Sequence, residues 1–457
     1  MFKGMQQIMS TTMQAQQEIP VASNDFKSDC HQFTEFWRAL SRALDGLPAK
    51  PQRHADQQAQ AIALIDAGRT SRERFLDQHV VAVYHALTAN QSVLVRLEEL
   101  VNAAALQFPG LVPDAKVLAR ENALRQGDKD GHEIDQGLFL STVLADPACG
   151  AHLCHAMLLP HPRTADYLEA FKRDGRVDLG TVIVERQGTA GYVYLNNERF
   201  LNAEDDSTCD AQEIAVDLCM MDPQIQAGVL RGAEFTKGKY QGKRVYCTGI
   251  NLTHLYYGHV SYIWYMKREM GFLNKIFRGI ATPDRKPDDI RGQTLEKIWI
   301  SAIESFAIGG GCQYVLVTDV NLAEKSAYMT LPAKKEGIVP GAANMRLPRF
   351  VGDRIARQAV MMERVIQCDS DVGRLICDRI VEDGQMTQAI DDVIDAMNRS
   401  GVVSAGSNRR AFRVAHEPME LFRNYMAMYA REQAFCHFSP ALISNLERFW
   451  DASSRRM

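Results

Sequence analysis

Ile308-Gly309-Gly310-Gly311-Cys312-Gln313 and, upstream of it, Tyr246-Cys247-Thr248-Gly249-Ile250-Asn251 decide how this chain reads. In each, strand-like residues break at glycine and a helical stretch opens. Such a turn leaves backbone N–H groups unpaired at the positive end of a helix dipole. Two of them converging make an oxyanion hole, a seat for the negative oxygen of an enolate or a tetrahedral intermediate.

Around these turns the pattern alternates. Residues 181–186 and 191–195 read as strands joined by a Gly-containing turn, followed by a helix over 211–221 and a strand over 228–231. A long helix is expected from the first turn to about Phe277, then an irregular polar loop over 282–292. Two strand–turn–helix units follow. The first ends at 309–311, and the second runs through 327–332 to Glu336-Gly337-Ile338-Val339-Pro340-Gly341. Alternating strand and helix implies an α/β fold, a sheet with helical crossovers. From Asp353 onward the chain reads as mainly helical, ending in the segments 438–443 and 445–450.

Residues 1–178 read as helical. Thr70-Ser71-Arg72-Glu73 has the form of a capping box, opening a helix with Leu76, Val80, Val83 and Leu87 inward. Ser92 is expected to start another, with Leu94, Leu97, Val101 and Ala104 or Ala105 inward. Residues 1–24, rich in Met and Gln, read as loose. Three parts result: a helical N-terminal domain (1–178), an α/β catalytic core (179–395) and a helical C-terminal region (396–457) that covers the site or serves assembly.

Bulk composition narrows the function. A net charge of −4 on 457 residues gives no electrostatic case for nucleic acid. No apolar run approaches the ~18 residues a membrane span needs. Met1-Phe2-Lys3-Gly4-Met5 lacks the apolar core of a signal peptide, so a cytoplasmic location is expected. The ten cysteines are spread singly and read as small buried hydrophobes. His152-Leu153-Cys154-His155, with Cys149 and His161 nearby, fits no zinc spacing. Asp128-Lys129-Asp130-Gly131 fails as a calcium loop because its twelfth position is Phe139. No metal is expected.

Five separated segments, in order over about 179–395, resemble the crotonase (enoyl-CoA hydratase/isomerase) superfamily. They are Glu198-Arg199-Phe200-Leu201-Asn202-Ala203, the two glycine turns, the Glu336–Gly341 segment quoted above, and Leu347-Pro348-Arg349-Phe350-Val351-Gly352. The resemblance implies that family's β-β-α superhelix and an acyl-CoA substrate. In hydratases an acid follows the second glycine turn, and another follows the proline of the next strand. Here those positions hold Gln313 and Ala333, and neither an amide nor a methyl group can act as a general base.

Loss of both acids, the helical N-terminal domain and segments such as Ile338-Val339-Pro340-Gly341-Ala342-Ala343-Asn344 resemble one branch of the family. That branch oxidises 3,5-dihydroxyphenylacetyl-CoA with O2, releasing CoA, in dihydroxyphenylglycine biosynthesis. The resemblance implies no cofactor, neither metal nor flavin, and a hexamer built from trimers. It also implies roles. The N–H groups of Ile250 and Gly310, presented by Gly249 and Gly309, would hold the enolate oxygen. Ala333 and Ile338 would line a dry pocket for O2, and Gln313 would orient the thioester or a peroxide oxygen. Arg268 would stabilise developing negative charge, and Glu204 would move a proton or hydrogen-bond the substrate. Plainer readings stand beside these: core packing for Ile338 and Ala333, capping for Gln313, an ion pair for Arg268, a solvated acidic turn for Glu204. His254 and His259 read as packing or capping residues. Lys237, Lys239, Lys243 and Arg244 could meet CoA phosphates or form a solvated loop. An isomerase using Glu204, another hydratase, or a thioester hydrolase is the alternative activity.

Overall fold

The structure, a computed structural model, describes residues 19–287, 294–400 and 402–455. The expected looseness of 1–18, the leader reading at 1–5 and the loop from 288 to 292 lie outside the described residues.

Among the described residues ten strands make two sheets. The larger runs β1 (Arg176–Asp178), β2 (Val182–Gln187), β3 (Ala190–Leu195), β4 (Ala227–Gly232), β5 (Ile298–Ile303), β7 (Val320–Glu324), β10 (Arg379–Val381). β1–β3 pair antiparallel, and from β3 to β10 every pair is parallel. The smaller holds β6 (Phe306–Ile308), β8 (Tyr328–Thr330) and β9 (Ile366–Gln367). Strands covered on both faces have no polar side, and every residue of β4 and β5 is buried accordingly. Gly228 leaves room for the Trp299 ring of the neighbouring strand.

The helical regions do not stand apart from this core. Leu138 and Val143 of helix Ile134–Ala145, Phe422 and Met426 of helix Met419–His437, and Ile250, Tyr262 and Met266 share one buried cluster. A buried ion pair also crosses the join, Arg96 Nη2 to Glu213 Oε1 at 2.5 Å. The expected boundary at 395/396 falls inside helix Met386–Ser400, whose Met386 and Ile390 pack on Val229 and Ile300 of the sheet.

Several expected elements are corrected. Residues 70–73 lie inside one helix, Ala55–Leu87, where Ser71 accepts from Trp37 Nε1 and donates to Gly68 O rather than capping. Leu76, Val80, Val83 and Leu87 are nevertheless buried. Ser92 starts no helix: Ala89, Asn90 and Gln91 take positive φ, and the next helix is Leu97–Gln107. The long helix after the first turn is broken into Leu252–Tyr256 and Tyr262–Lys267, a π-helical turn over Arg268–Leu273, and Asn274–Arg278. Gly258 at φ +80° ends the first piece, and Ser261 caps the second. Past Asp353 the chain still supplies β9 and β10, so it is not simply helical. Among the described residues no single helix is long and apolar enough to cross a membrane.

Candidate active site

The two glycine turns lie side by side. Ile308 N–H donates to Cys247 O at 2.9 Å, and Gly309 N–H to Thr330 O at 2.8 Å. Glu204 N–H reaches Gly249 O and Asn251 N–H reaches Glu204 O, both at 2.7 Å. These bonds leave the N–H groups of Ile250 and Gly310 without a backbone acceptor among the described residues. Gly249 (φ +76°) and Gly309 (φ +53°) take conformations that favour glycine. A Cβ on Gly249 would stand 2.8 Å from Gly310 N, so only glycine lets the turns close on each other.

Behind this pair lies a buried charged network. Arg268 donates to both oxygens of Glu204 and to Glu269 Oε1 (2.8 Å), Gln313 Oε1 (2.5 Å) and Gly310 O (3.0 Å). Tyr314 O–H also donates to Glu204, and Gln212 Nε2 to the Tyr314 oxygen at 3.0 Å. The π-helical turn explains how consecutive Arg268 and Glu269 both face inward: the wider turn re-aims side chains that a regular helix would spread. Burial works against the Arg268 charge, but Glu204, Tyr314 and Glu269 more than offset it and hold the guanidinium protonated. Burial raises Glu269 despite Arg268 and Arg346.

A small chamber of about 30 Å³ is bounded by Ile250, Gly310, Gln313, Ala333 and Ile338 and walled by Trp264, Tyr265 and Tyr429. Arg268 and Glu269 also reach its surface, whereas Glu204 does not line it. A second, open cavity of about 660 Å³ adjoins it, lined by Phe200, Leu201, Thr248, Phe306 and Trp450. Ile250 and Glu336 belong to both. Nine of the candidate residues therefore meet within one locality, with Glu204 behind the oxyanion turn rather than in the chamber. The basic loop 237–244 contributes only Tyr240 to the wide cavity, and its cations are Arg199, Lys335 and Arg455.

Sequence reading missed Glu336. It ends the four-residue helix Ala333–Glu336, and i, i+3 spacing puts it on the face of Ala333. The signal was there: an acid one helical turn past the place where hydratases keep theirs. Glu336 is 6% exposed and its carboxylate has no hydrogen bond or ion pair among the described residues. Burial pushes its carboxyl up to about 7. Its Oε1 lies 3.6 Å from where a side chain on Gly309 would begin.

Other candidates resolve as structure. His254 Nδ1 lies 2.8 Å from Asp205 Oδ2, and its ring packs on Phe200. His152 pairs with the Tyr84 hydroxyl and His155 with Thr282 O, so the 149–161 cluster does not converge. Among the described residues one group of possible ligands does converge, Glu121, Asp130 and His132. There Glu121 accepts the backbone N–H of Asp130, Gly131 and His132, and Asp130 is held by Arg53.

The family model described as Enoyl-CoA hydratase/isomerase matches residues 185–428. A (3,5-dihydroxyphenyl)acetyl-CoA 1,2-dioxygenase of Amycolatopsis orientalis is 40% identical over 420 residues, 90% of this chain and 95% of the relative. A short-chain-enoyl-CoA hydratase of Clostridium acetobutylicum is 25% identical over 237 residues, 51% of this chain and 82% of the relative. An enoyl-CoA hydratase structure from Mycobacterium avium subsp. paratuberculosis K-10 superposes with a TM-score of 0.49 at 16% identity, covering 61% of this chain and 99% of that one.

Proposed function

Since the chain belongs to the enoyl-CoA hydratase/isomerase family, we propose that it is a cofactor-independent dioxygenase. It converts 3,5-dihydroxyphenylacetyl-CoA and O2 to 3,5-dihydroxyphenylglyoxylate and CoA, the activity that the name of the Amycolatopsis orientalis relative suggests. The observation that carries this reading is the pairing of unbonded Ile250 and Gly310 N–H groups with a chamber where both water-handling acids are replaced, by Gln313 and Ala333.

The chemistry follows from the substrate. The α C–H of an arylacetyl thioester is acidic because the enolate spreads its charge onto the thioester oxygen and the ring. Two oriented N–H groups stabilise that oxygen, each worth about 3–4 kcal/mol in the barrier. The enolate passes one electron to O2, and the radical pair joins at the α carbon to give a peroxide. Peroxide attack on the thioester carbon expels CoA, and loss of the second α proton as the O–O bond breaks leaves the arylglyoxylate. Ala333 and Ile338 keep the chamber apolar, whereas a carboxylate at 333 would hold water there. The chamber takes a molecule the size of O2. An aryl ring needs about 150 Å³, so the wall must part to admit it.

The single unpaired carboxylate of Glu336 favours a second reading, an isomerase that shuttles one proton. Glu204 does not serve that role, because Arg268 and Tyr314 occupy its oxygens.

The test is to supply the arylacetyl-CoA aerobically. Oxygen uptake matched by free CoA and arylglyoxylate is expected, while CoA release that persists without oxygen would indicate a hydrolase. The reaction as proposed uses neither metal nor flavin, so chelator-treated protein without flavin absorbance should turn over fully. The same resemblance supports a trimer or hexamer, which light scattering tests.

A further inference from the structure

We propose that the Glu336 carboxylate is the catalytic base that removes the α proton of the acyl thioester. This rests on reading the site as one that forms an enolate.

Position argues first. Glu336 and Ile250 stand at the junction of the two cavities, where a thioester entering from the wide one would present its α carbon to the small one. The carboxylate sits beside Gly309, next to the Gly310 donor. Availability argues second. Of the nearby acids, Glu204 is bound at both oxygens, by Arg268 and Tyr314. Glu269 lines the chamber, but Oε1 accepts from Arg268 and Oε2 from Ala342 N–H. Glu336 alone among them has both oxygens free.

The charged and titratable groups around it are Tyr265, Arg268, Glu269 and Tyr429 in the chamber, and Arg199, Tyr240, Tyr328, Lys335 and Arg455 on the wide cavity. None forms an ion pair or hydrogen bond with it, and Lys335 turns instead to Glu363 at 2.7 Å. A carboxyl titrating near 7 through burial is ionised in mild alkali, and is more basic than an exposed one.

The step balances within the site. The α C–H bond breaks and its electron pair moves onto the thioester oxygen held by the Ile250 and Gly310 N–H groups. The proton forms a new O–H bond on Glu336.

Anaerobic incubation of 3,5-dihydroxyphenylacetyl-CoA in D2O, followed by mass spectrometry, reads this step without O2. The wild type should exchange its α hydrogens. Glu336→Gln should exchange at least about a hundredfold more slowly, in the range set by loss of a general base, while still binding a CoA thioether analogue. Exchange by E336Q within threefold of wild type would overturn the proposal. Should E336Q fail to fold, the wild-type pH profile decides. Exchange must fall as pH drops below about 7, and a flat profile between pH 6 and 8 would equally overturn it. A wild type that exchanges but consumes no oxygen defeats the dioxygenase reading, while the E336Q rate still decides the base.

Discussion

Arg268 grips Glu204 side-on, Nε to Oε1 and Nη2 to Oε2 at 2.9 Å each. The Glu204 carboxylate occupies the space that a side chain on Gly310 would need, and the same guanidinium bonds the Gly310 carbonyl. The pair is thus a buried brace under one oxyanion donor. Removing Arg268 takes the counter-charge from buried Glu204, and removing Glu204 leaves Arg268 with Glu269 as its one carboxylate partner in the network, a loss of up to about 3–5 kcal/mol. Arg268→Met and Glu204→Gln should each lower the urea midpoint strongly. The double variant should cost less than the sum of the two, by about 1–3 kcal/mol. Additive losses would mean the brace is not a unit.

Gly310→Ala tests the donor itself. Its methyl group cannot be placed without displacing Glu204 and Arg268, and it moves the N–H that faces the substrate oxygen. Turnover should fall about a hundredfold or more, the price of one oxyanion donor, with KM for the thioester little changed. Steady-state kinetics read both constants, and a kcat within fivefold of wild type would rule out Gly310 as a donor.

The glycine turns were legible because strand, glycine and helix succeed one another within six residues. Their pairing through Cys247 and Ala307 needs the fold. Strands β2, β3, β4 and β8 and the strand-like lead into the second glycine turn were legible from apolar runs, whereas β7 was not read, β1 fell inside a stretch read as helical, and β9 and β10, at two and three residues, carry no period to read. The capping-box reading of 70–73 failed because a Thr–x–x–Glu pattern also arises inside a long helix, where tertiary packing on Trp37 decides. Tyr429 and Trp264 of the chamber wall come from helices far apart in sequence, and no local pattern marks them. Glu336 was visible, but its isolation is a tertiary fact: only the assembled site shows that nothing pairs with it.

Ala333→Glu reinstates an acid at the hydratase position. In a chamber of about 30 Å³ the added carboxylate fills the space left for a diatomic molecule and draws water. It also shares a helix face with Glu336, so like-charge repulsion raises at least one of the two pKa values. Oxygen uptake should fall about tenfold or more while binding of the CoA portion persists, since Ala333 does not line the wide cavity. An oxygen electrode and a thioether binding titration separate the two. Undiminished uptake would mean that O2 enters elsewhere.

Far from the chamber, Glu417 sets the acid limit of the fold. It is buried against Arg346 (2.9 Å), Arg349 (2.8 Å) and Arg278 (3.3 Å). Burial resists its ionisation, but the arginines win and hold its carboxyl down at about 2. A depressed pKa stabilises the fold above the unfolded-state value near 4.5, and that stability is lost as pH falls toward 2. The shift is worth on the order of 3 kcal/mol. Wild-type stability should therefore decline between pH 4.5 and 2. Glu417→Gln should lose about 3–5 kcal/mol at pH 7, because the buried Arg278 and Arg346, with the more exposed Arg349, lose this counter-charge. Its deficit should then shrink as pH drops through that window, because the wild type is losing the same charge. Denaturant titrations at pH 7, 5, 4 and 3 measure the gap, and a gap that stays constant down to pH 3 would show that the arginine cluster does not depend on the Glu417 charge.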